Sequence, residues 1–443
     1  MFPPAGASPL VHAYGADNAD VNLKKRGAMQ PWADMSIVVT RRWPCLVTAA
    51  SAVLAGGAPP EERPMYQDYR VIDADGHVLE PVDLWERYID PEFRHQAPRG
   101  VGVLGVDVLG HLLPDVPGGV PLEAPDYTTG PAARYGFAAR RNFDAESQLE
   151  ALDIEGIDVA VLYPSRGLYA ASVDGLPPRL AGAICRAYNR WLADFCARAP
   201  ERLVGAGFVS LHDPGIAVAE AVHAVEQLGM RAVFVRPNPV NGRTIDHPDF
   251  DPLYAEIERL GVPLATHEGA GVHLAQYGGG RYDKLMKLHI VCHAVENMGA
   301  CMDLIVGGVL ERHPRLRCVF LESGAGWAAW WLERMDEHWE GYFGPRDAPY
   351  LRMKPSEYFK RQCFVSTEVD ERGTQYVVDA FGDELIVLGS DYPHGDGKFP
   401  HAIREFVGVG ALSERTKRKI LWDNPARLYG LERATAVTGQ AAG

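Results

Sequence analysis

From Tyr69 onward the chain alternates short apolar runs with stretches of helical periodicity, and it does so eight times. The runs cover 69–74, 157–163, 203–209, 232–236, 263–266, 317–321, 362–366 and 385–389. Helical stretches at 144–155, 179–199, 215–227, 252–260, 296–312 and 326–339 separate most of them, several with apolar residues spaced along one helix face. Runs that are apolar on both faces need cover on both, and parallel strands need crossover helices between them. The pattern therefore predicts an α/β chain folded as a TIM (β/α)8 barrel. Residues 97–143 break the rhythm: they are rich in Gly, Pro, Leu and Val without a period, and they precede the helix ahead of the second run. They read as an inserted loop region after the first strand, at the barrel mouth, where it forms a lid or a substrate wall.

The barrel accounts for 65–433, and the flanks read differently. Residues 1–34 mix Pro, Gly, Ala, Asn and Asp without a period, and 1–64 as a whole reads as a disordered leader or a mis-assigned start, with Met65 as the true beginning. Inside that stretch, at 35–60, Arg41 and Arg42 followed by WPCLVTAASAVLAGGA have the layout of an export signal, interrupted by Pro44. Residues 434–443 read as a disordered tail.

Composition removes several functional classes. With 58 Asp and Glu against 44 Lys and Arg, the formal charge is −14, which repels nucleic acid and anionic lipid, and no local basic patch offsets it. Seven cysteines without a C-x-x-C pair argue against a disulfide framework and a structural zinc finger, and point to the reducing cytoplasm. No run approaches 18 uninterrupted apolar residues, so no membrane helix is expected. There is neither a G-x-S-x-G elbow nor a Walker A sequence.

What remains is chemistry at the strand ends. The first run leads into Asp75-Gly76-His77, whose period-2 spacing puts two ligand-type side chains on one side of an extended chain. The fifth ends in His267-Glu268 and the eighth in Asp391-Tyr392-Pro393-His394. Imidazoles and carboxylates delivered by three strands to one rim form a donor set for a divalent ion, Zn²⁺ or Mn²⁺. The plainer alternative is that His267 and Asp391 bond each other or nearby backbone. His293 precedes the helix expected from Glu296; it either reaches the mouth as a substrate-binding and catalytic group or caps that helix. Arg166 and Arg236, after the second and fourth strands, are candidate clamps for a substrate carboxylate unless they pair with neighbouring acids. Glu268 reads as a support residue, and Trp327, Trp330 and Trp331 as core or subunit contacts.

The motifs DADGHVLEP, GVPLATHEGAG, GGVLERHPRLRCVFLESGAGW, LGSDYPH and DNPARLYGL, spread from Tyr69 to Leu431, together resemble the amidohydrolase superfamily. The likeness is to the branch that contains aminocarboxymuconate-semialdehyde decarboxylase and γ-resorcylate decarboxylase. The resemblance implies one divalent ion held by Asp75, His77, His267 and Asp391, with Asp391 also the acid/base, and a homodimer. Three departures stand out. Asp75 occupies a position where several relatives carry His or Glu. Glu322 ends the sixth strand where many carry His; to exchange a proton there, its pKa would have to be raised by burial. The fourth strand ends Arg236-Pro237-Asn238 without the lysine of binuclear members, which favours one metal.

The resemblance implies a mononuclear metal-dependent non-oxidative decarboxylase acting on an aromatic or unsaturated carboxylic acid. In the alternative, the same donors activate water for hydrolysis of an amide, lactone or related bond. A third reading keeps the ion but not turnover, in which case Glu322→Gln changes nothing measurable.

Overall fold

The computed structural model describes residues 69–120 and 123–432; the leader 1–64, its export-signal layout, the start at Met65 and the tail 434–443 lie outside the described residues. Eight strands form a single parallel sheet in chain order. They are β1 (Ile72–Val78), β2 (Val159–Pro164), β3 (Leu203–Phe208), β4 (Ala232–Val235), β5 (Leu264–Thr266), β6 (Cys318–Phe320), β7 (Cys363–Thr367) and β8 (Ile386–Leu388). Every residue of every one is buried, as strands covered on both faces require. The helices α1 (Ala145–Glu155), α2 (Pro178–Cys196), α3 (Pro214–Val222), α4 (Asp251–Leu260), α5 (Leu285–Val306), α6 (Trp327–Glu340) and α7 (Gly373–Phe381) alternate with the strands.

The last strand meets the first through its end. The Asp391 amide donates to Asp75 O (3.1 Å) and the His77 amide donates to Tyr392 O (2.7 Å). Ser390 adds its amide and hydroxyl to the Asp73 carboxylate at 2.9 and 2.5 Å. The C-terminal motif fixes the same seam: Asn424 Nδ2 donates to Asp383 O and Ile386 O, and the Tyr429 hydroxyl donates to Ala74 O. The polar residues of LGSDYPH and DNPARLYGL thus join β8 to β1, so closing the sheet and forming the mouth depend on the same side chains.

Three local expectations are corrected. β1 begins at Ile72 and runs through Asp75 and His77 to Val78, with a register irregularity between Asp73 and Gly76. α5 starts at Leu285 rather than near Glu296, because Leu285, Met286 and Ile290 are exposed apolar residues and blur the one-sided pattern that would have marked it. The insertion holds a three-stranded antiparallel sheet of Arg99–Val101, Gly105–Val108 and His111–Leu113, strands too short to show a period.

Candidate metal centre

β1 and β5 aim two imidazoles at one point. His77 Nδ1 donates to Pro164 O (2.9 Å) and His267 Nδ1 to Glu268 O (2.7 Å). A ring nitrogen held on a carbonyl must carry the proton, so in each neutral ring Nε2 is a lone pair. These two lone pairs face each other at 3.1 Å with both side chains fully buried. Burial, then His394 and His267, push the His77 pKa well below the ordinary histidine value, which keeps the ring neutral.

Carboxylates surround the pair. Asp75 Oδ1 lies 3.7 Å from His77 Nε2 and 3.6 Å from His267 Nε2, and no hydrogen-bond donor reaches it. Room for that side chain comes from Gly389, where a Cβ would stand 2.7 Å from the Asp75 Cβ. Asp391 Oδ1 is 3.6 Å from His77 Nε2. Glu322 Oε2 is 3.0 Å from His267 Nε2 and 4.0 Å from His77 Nε2. Both Asp391 (φ 55°) and Glu322 (φ 47°) hold left-handed backbone, a conformation costly for non-glycine residues and maintained here at two strand ends that point carboxylates inward.

Burial, then Glu322 and Asp391, raise the Asp75 pKa well above the usual carboxylate value. Burial also lifts Asp391 to about 7; His394 opposes the shift and Glu322 adds to it. An unpartnered Asp75 oxygen beside paired lone pairs, with Asp391 and Glu322 close by, fits a divalent cation, which supplies the missing positive charge.

All eight residues singled out in the sequence can now be placed. Asp75, His77, His267, Asp391 and Glu322 converge. His293 lies inside α5 rather than in a loop before it, stacked on His289 with ring centroids 4.0 Å apart, and its Nδ1 is 3.3 Å from Glu322 Oε1. Burial alone would lower the His293 pKa, but Glu322 raises it. For Glu322 the expected upward shift is corrected: burial raises it, but the neighbouring His293, the largest opposing cause, draws it down, and it sits well below the ordinary value.

Neither arginine is free to clamp an anion. Arg166 spends its guanidinium on the carbonyls of Val101, Gly102, Val103, Gly105 and Glu80, pinning the inserted sheet. Arg236 is buried against Glu268 (2.9 Å), Asn238, Leu168 O and Gly269 O. Both donor sets are consumed internally, the commoner fate for such residues.

His394 received no role in the sequence, although it stands three residues after Asp391. Its Nδ1 is 2.5 Å from Asp391 Oδ1, its Nε2 is 2.8 Å from Ser165 Oγ, and its ring lies 4.2 Å from the His77 ring. Asp391 raises its pKa to about 9 against the opposing effect of burial. The D-x-x-H spacing was the available signal; the Ser165 partner, 229 positions away, left none.

Above the donors a cavity of about 420 Å³ is lined by His289, His293, Glu322, Glu368, Asp391 and Lys398. A second, of about 320 Å³, runs along the insertion past Leu104, Tyr127, Tyr135 and Phe143 to His394.

Among curated proteins, 2-amino-3-carboxymuconate-6-semialdehyde decarboxylase of Dictyostelium discoideum is 26% identical over 300 residues, 66% of this chain and 77% of that one. Gamma-resorcylate decarboxylase of Rhodococcus jostii (strain RHA1) is 29% identical over 300 residues, 65% of this chain and 87% of that one. Among solved structures, dihydroxybenzoic acid decarboxylase of Polaromonas sp. JS666, with bound manganese and the inhibitor 2-nitroresorcinol, superposes with a TM-score of 0.57 at 19% identity, covering 82% of this chain and 97% of that one. The eight strands, the seam and the whole donor cluster lie within residues 72–431, the stretch matched by the amidohydrolase family model, and the chain belongs to that family.

Proposed function

We propose that the protein is a mononuclear metal-dependent carboxy-lyase that removes CO₂ without oxidation from an aromatic or unsaturated carboxylic acid. The observation that carries the reading is the pair of imidazole lone pairs at 3.1 Å beside an orphaned Asp75 oxygen, a donor arrangement that calls for a cation. The choice of decarboxylation draws on the relatives named decarboxylases.

Asp75, His77, His267 and Asp391 would hold the ion, Zn²⁺ or Mn²⁺. When bound, it supplies positive charge for the substrate carboxylate and for the electron pair that the departing CO₂ leaves behind. Asp391 delivers its proton to that carbon, so that one C–C bond breaks and one C–H bond forms. His394, 2.5 Å from Asp391, orients the carboxyl and returns a proton to it. His293, fixed by Glu322, donates to a substrate oxygen at the cavity wall. The insertion at 97–143 forms the opposite wall, with an apolar slot for the body of the substrate.

The rest of the reading is a cytoplasmic homodimer that binds neither nucleic acid nor membrane. Six buried free cysteines support a reducing compartment, a charge of −14 argues against nucleic acid and anionic lipid, the homodimer rests on the family likeness, and no described helix is long and apolar enough to cross a membrane. Light scattering of the purified chain checks the dimer.

The direct test is CO₂ release from a panel of hydroxylated and amino-substituted aromatic acids by metal-loaded protein. The expected result is stoichiometric CO₂ and decarboxylated product, abolished in Asp391→Asn. Hydrolysis of amides or lactones by the same sample, with no CO₂ from any acid, would replace the lyase reading with the hydrolytic one.

A further inference from the structure

Glu322 divides its two oxygens between two tasks. Oε1 faces His293 Nδ1 at 3.3 Å, while Oε2 faces His267 Nε2 at 3.0 Å and His77 Nε2 at 4.0 Å. Neither Nε2 carries a proton, because both rings donate through Nδ1 to backbone carbonyls. Oε2 therefore meets two lone pairs rather than two donors, which is the same unsatisfied relation that Asp75 Oδ1 has with these rings.

The three spacings among His77, His267 and Glu322 match those of a six-coordinate ion. A six-coordinate ion about 2.1 Å from each donor sets neighbouring donors roughly 3 Å apart and opposed donors roughly 4.2 Å apart. His77 with His267 (3.1 Å) and His267 with Glu322 (3.0 Å) fit neighbours, and His77 with Glu322 (4.0 Å) fits an opposed pair. The Asp75 and Asp391 contacts of 3.6–3.7 Å fall between. His394 is excluded as a further ligand because Asp391 and Ser165 occupy both its ring nitrogens.

We propose that Glu322 is a fifth protein ligand of the metal through Oε2, so that two imidazoles and three carboxylates hold the ion and one position remains for substrate. The inference rests on the metal reading above and gives it a consequence. An oxygen-rich, six-coordinate set suits Mn²⁺ or Fe²⁺, whereas Zn²⁺ settles most readily into four-coordinate sites, so Glu322 shifts the centre towards manganese. It also ties metal to proton handling, because the same carboxylate that binds the ion orients His293.

The test uses the full chain stripped of metal, as wild type, Glu322→Ala, Glu322→Gln and His267→Ala. Mn²⁺ and Zn²⁺ affinities are measured by calorimetry, and the water bound to Mn²⁺ by proton relaxation. Glu322→Ala is expected to weaken Mn²⁺ by at least about tenfold, to weaken Zn²⁺ less, and to admit one additional water to the ion. Glu322→Gln, equal in shape and lacking the charge, is expected to fall between, and the melting temperature of each metal-free variant reports whether it folds. If wild type binds and His267→Ala does not, but Glu322→Ala binds Mn²⁺ within threefold with unchanged water, the fifth-ligand assignment is overturned and the metal centre stands. If wild type binds neither ion, both fall.

Discussion

Asp75 and Glu322 present carboxylate oxygens to imidazole lone pairs inside the barrel mouth, while Glu80, Glu155 and Glu371, outside that donor cluster, receive backbone N–H donors. Glu80 accepts from the Arg166 and Gly167 amides at 2.9 Å each. Glu155 accepts from Ala402 and Ile403 at 3.0 and 3.3 Å, and Glu371 from Ala325 and Gly326 at 2.8 and 2.6 Å. The residue type is the same and the compensation differs. A buried carboxylate is costly unless hydrogen-bonded or paired. The outer group meets that cost with backbone during folding and so fixes loops to strands. In the inner group Asp75 leaves it open, which is how a site keeps affinity for a cation.

The sharpest way to break this contrast is at His267. His267→Ala removes an inner donor, so CO₂ release should fall by at least about 10³-fold, and the rise in melting temperature on adding Mn²⁺ should vanish. Retained activity with a retained metal-induced rise would place the ion elsewhere. Arg236→Met strikes a carboxylate compensated by side chains, removing the cation paired with buried Glu268 and leaving it only the neutral Asn238 and Gln276 donors; urea unfolding should show a loss of about 3–5 kcal/mol. If Arg236 clamped substrate instead, the variant would raise KM without that loss.

Glu371→Ala removes the acceptor at the start of α6 and should cost about 2 kcal/mol while Mn²⁺ affinity stays at the wild-type value. The most gradual effect is the pH response of Glu155. Burial raises its pKa from 4.5 to about 7, and the Ala402 and Ile403 amides only partly oppose the shift. The folded protein therefore holds that proton more tightly than the unfolded chain. Its contribution to stability is full below about 4.5 and is lost as pH rises through about 7, at no more than about 1.4 kcal/mol per pH unit. Glu155→Gln should remove that slope from urea midpoints measured across the window; an unchanged slope would mean that another group carries it.

The inner and outer groups were not equally legible in the sequence. The inner ligands Asp75, His77, His267 and Asp391 stand at the ends of apolar strands, where a local pattern marks them. The outer partners could not be read, since Glu80 with Arg166 and Glu155 with Ala402 join segments 86 and 247 positions apart. Arg166 and Arg236 looked like anion clamps for the same reason: a strand-end arginine has one local appearance whether its donors face substrate or are already bound to carbonyls.

By itself the sequence determined the eight strands, their order and the rim from which the ligands project, because strand length, apolar content and period are properties of neighbouring residues. Only the tertiary structure decided which donors remain unsatisfied. That depends on which nitrogen of each histidine is already bound to a carbonyl, on the paired strand ends that bring Asp391 to His77, and on the His293 ring that holds Glu322 as a carboxylate. Each is a long-range contact, and the charge balance of a buried site is the sum of such contacts.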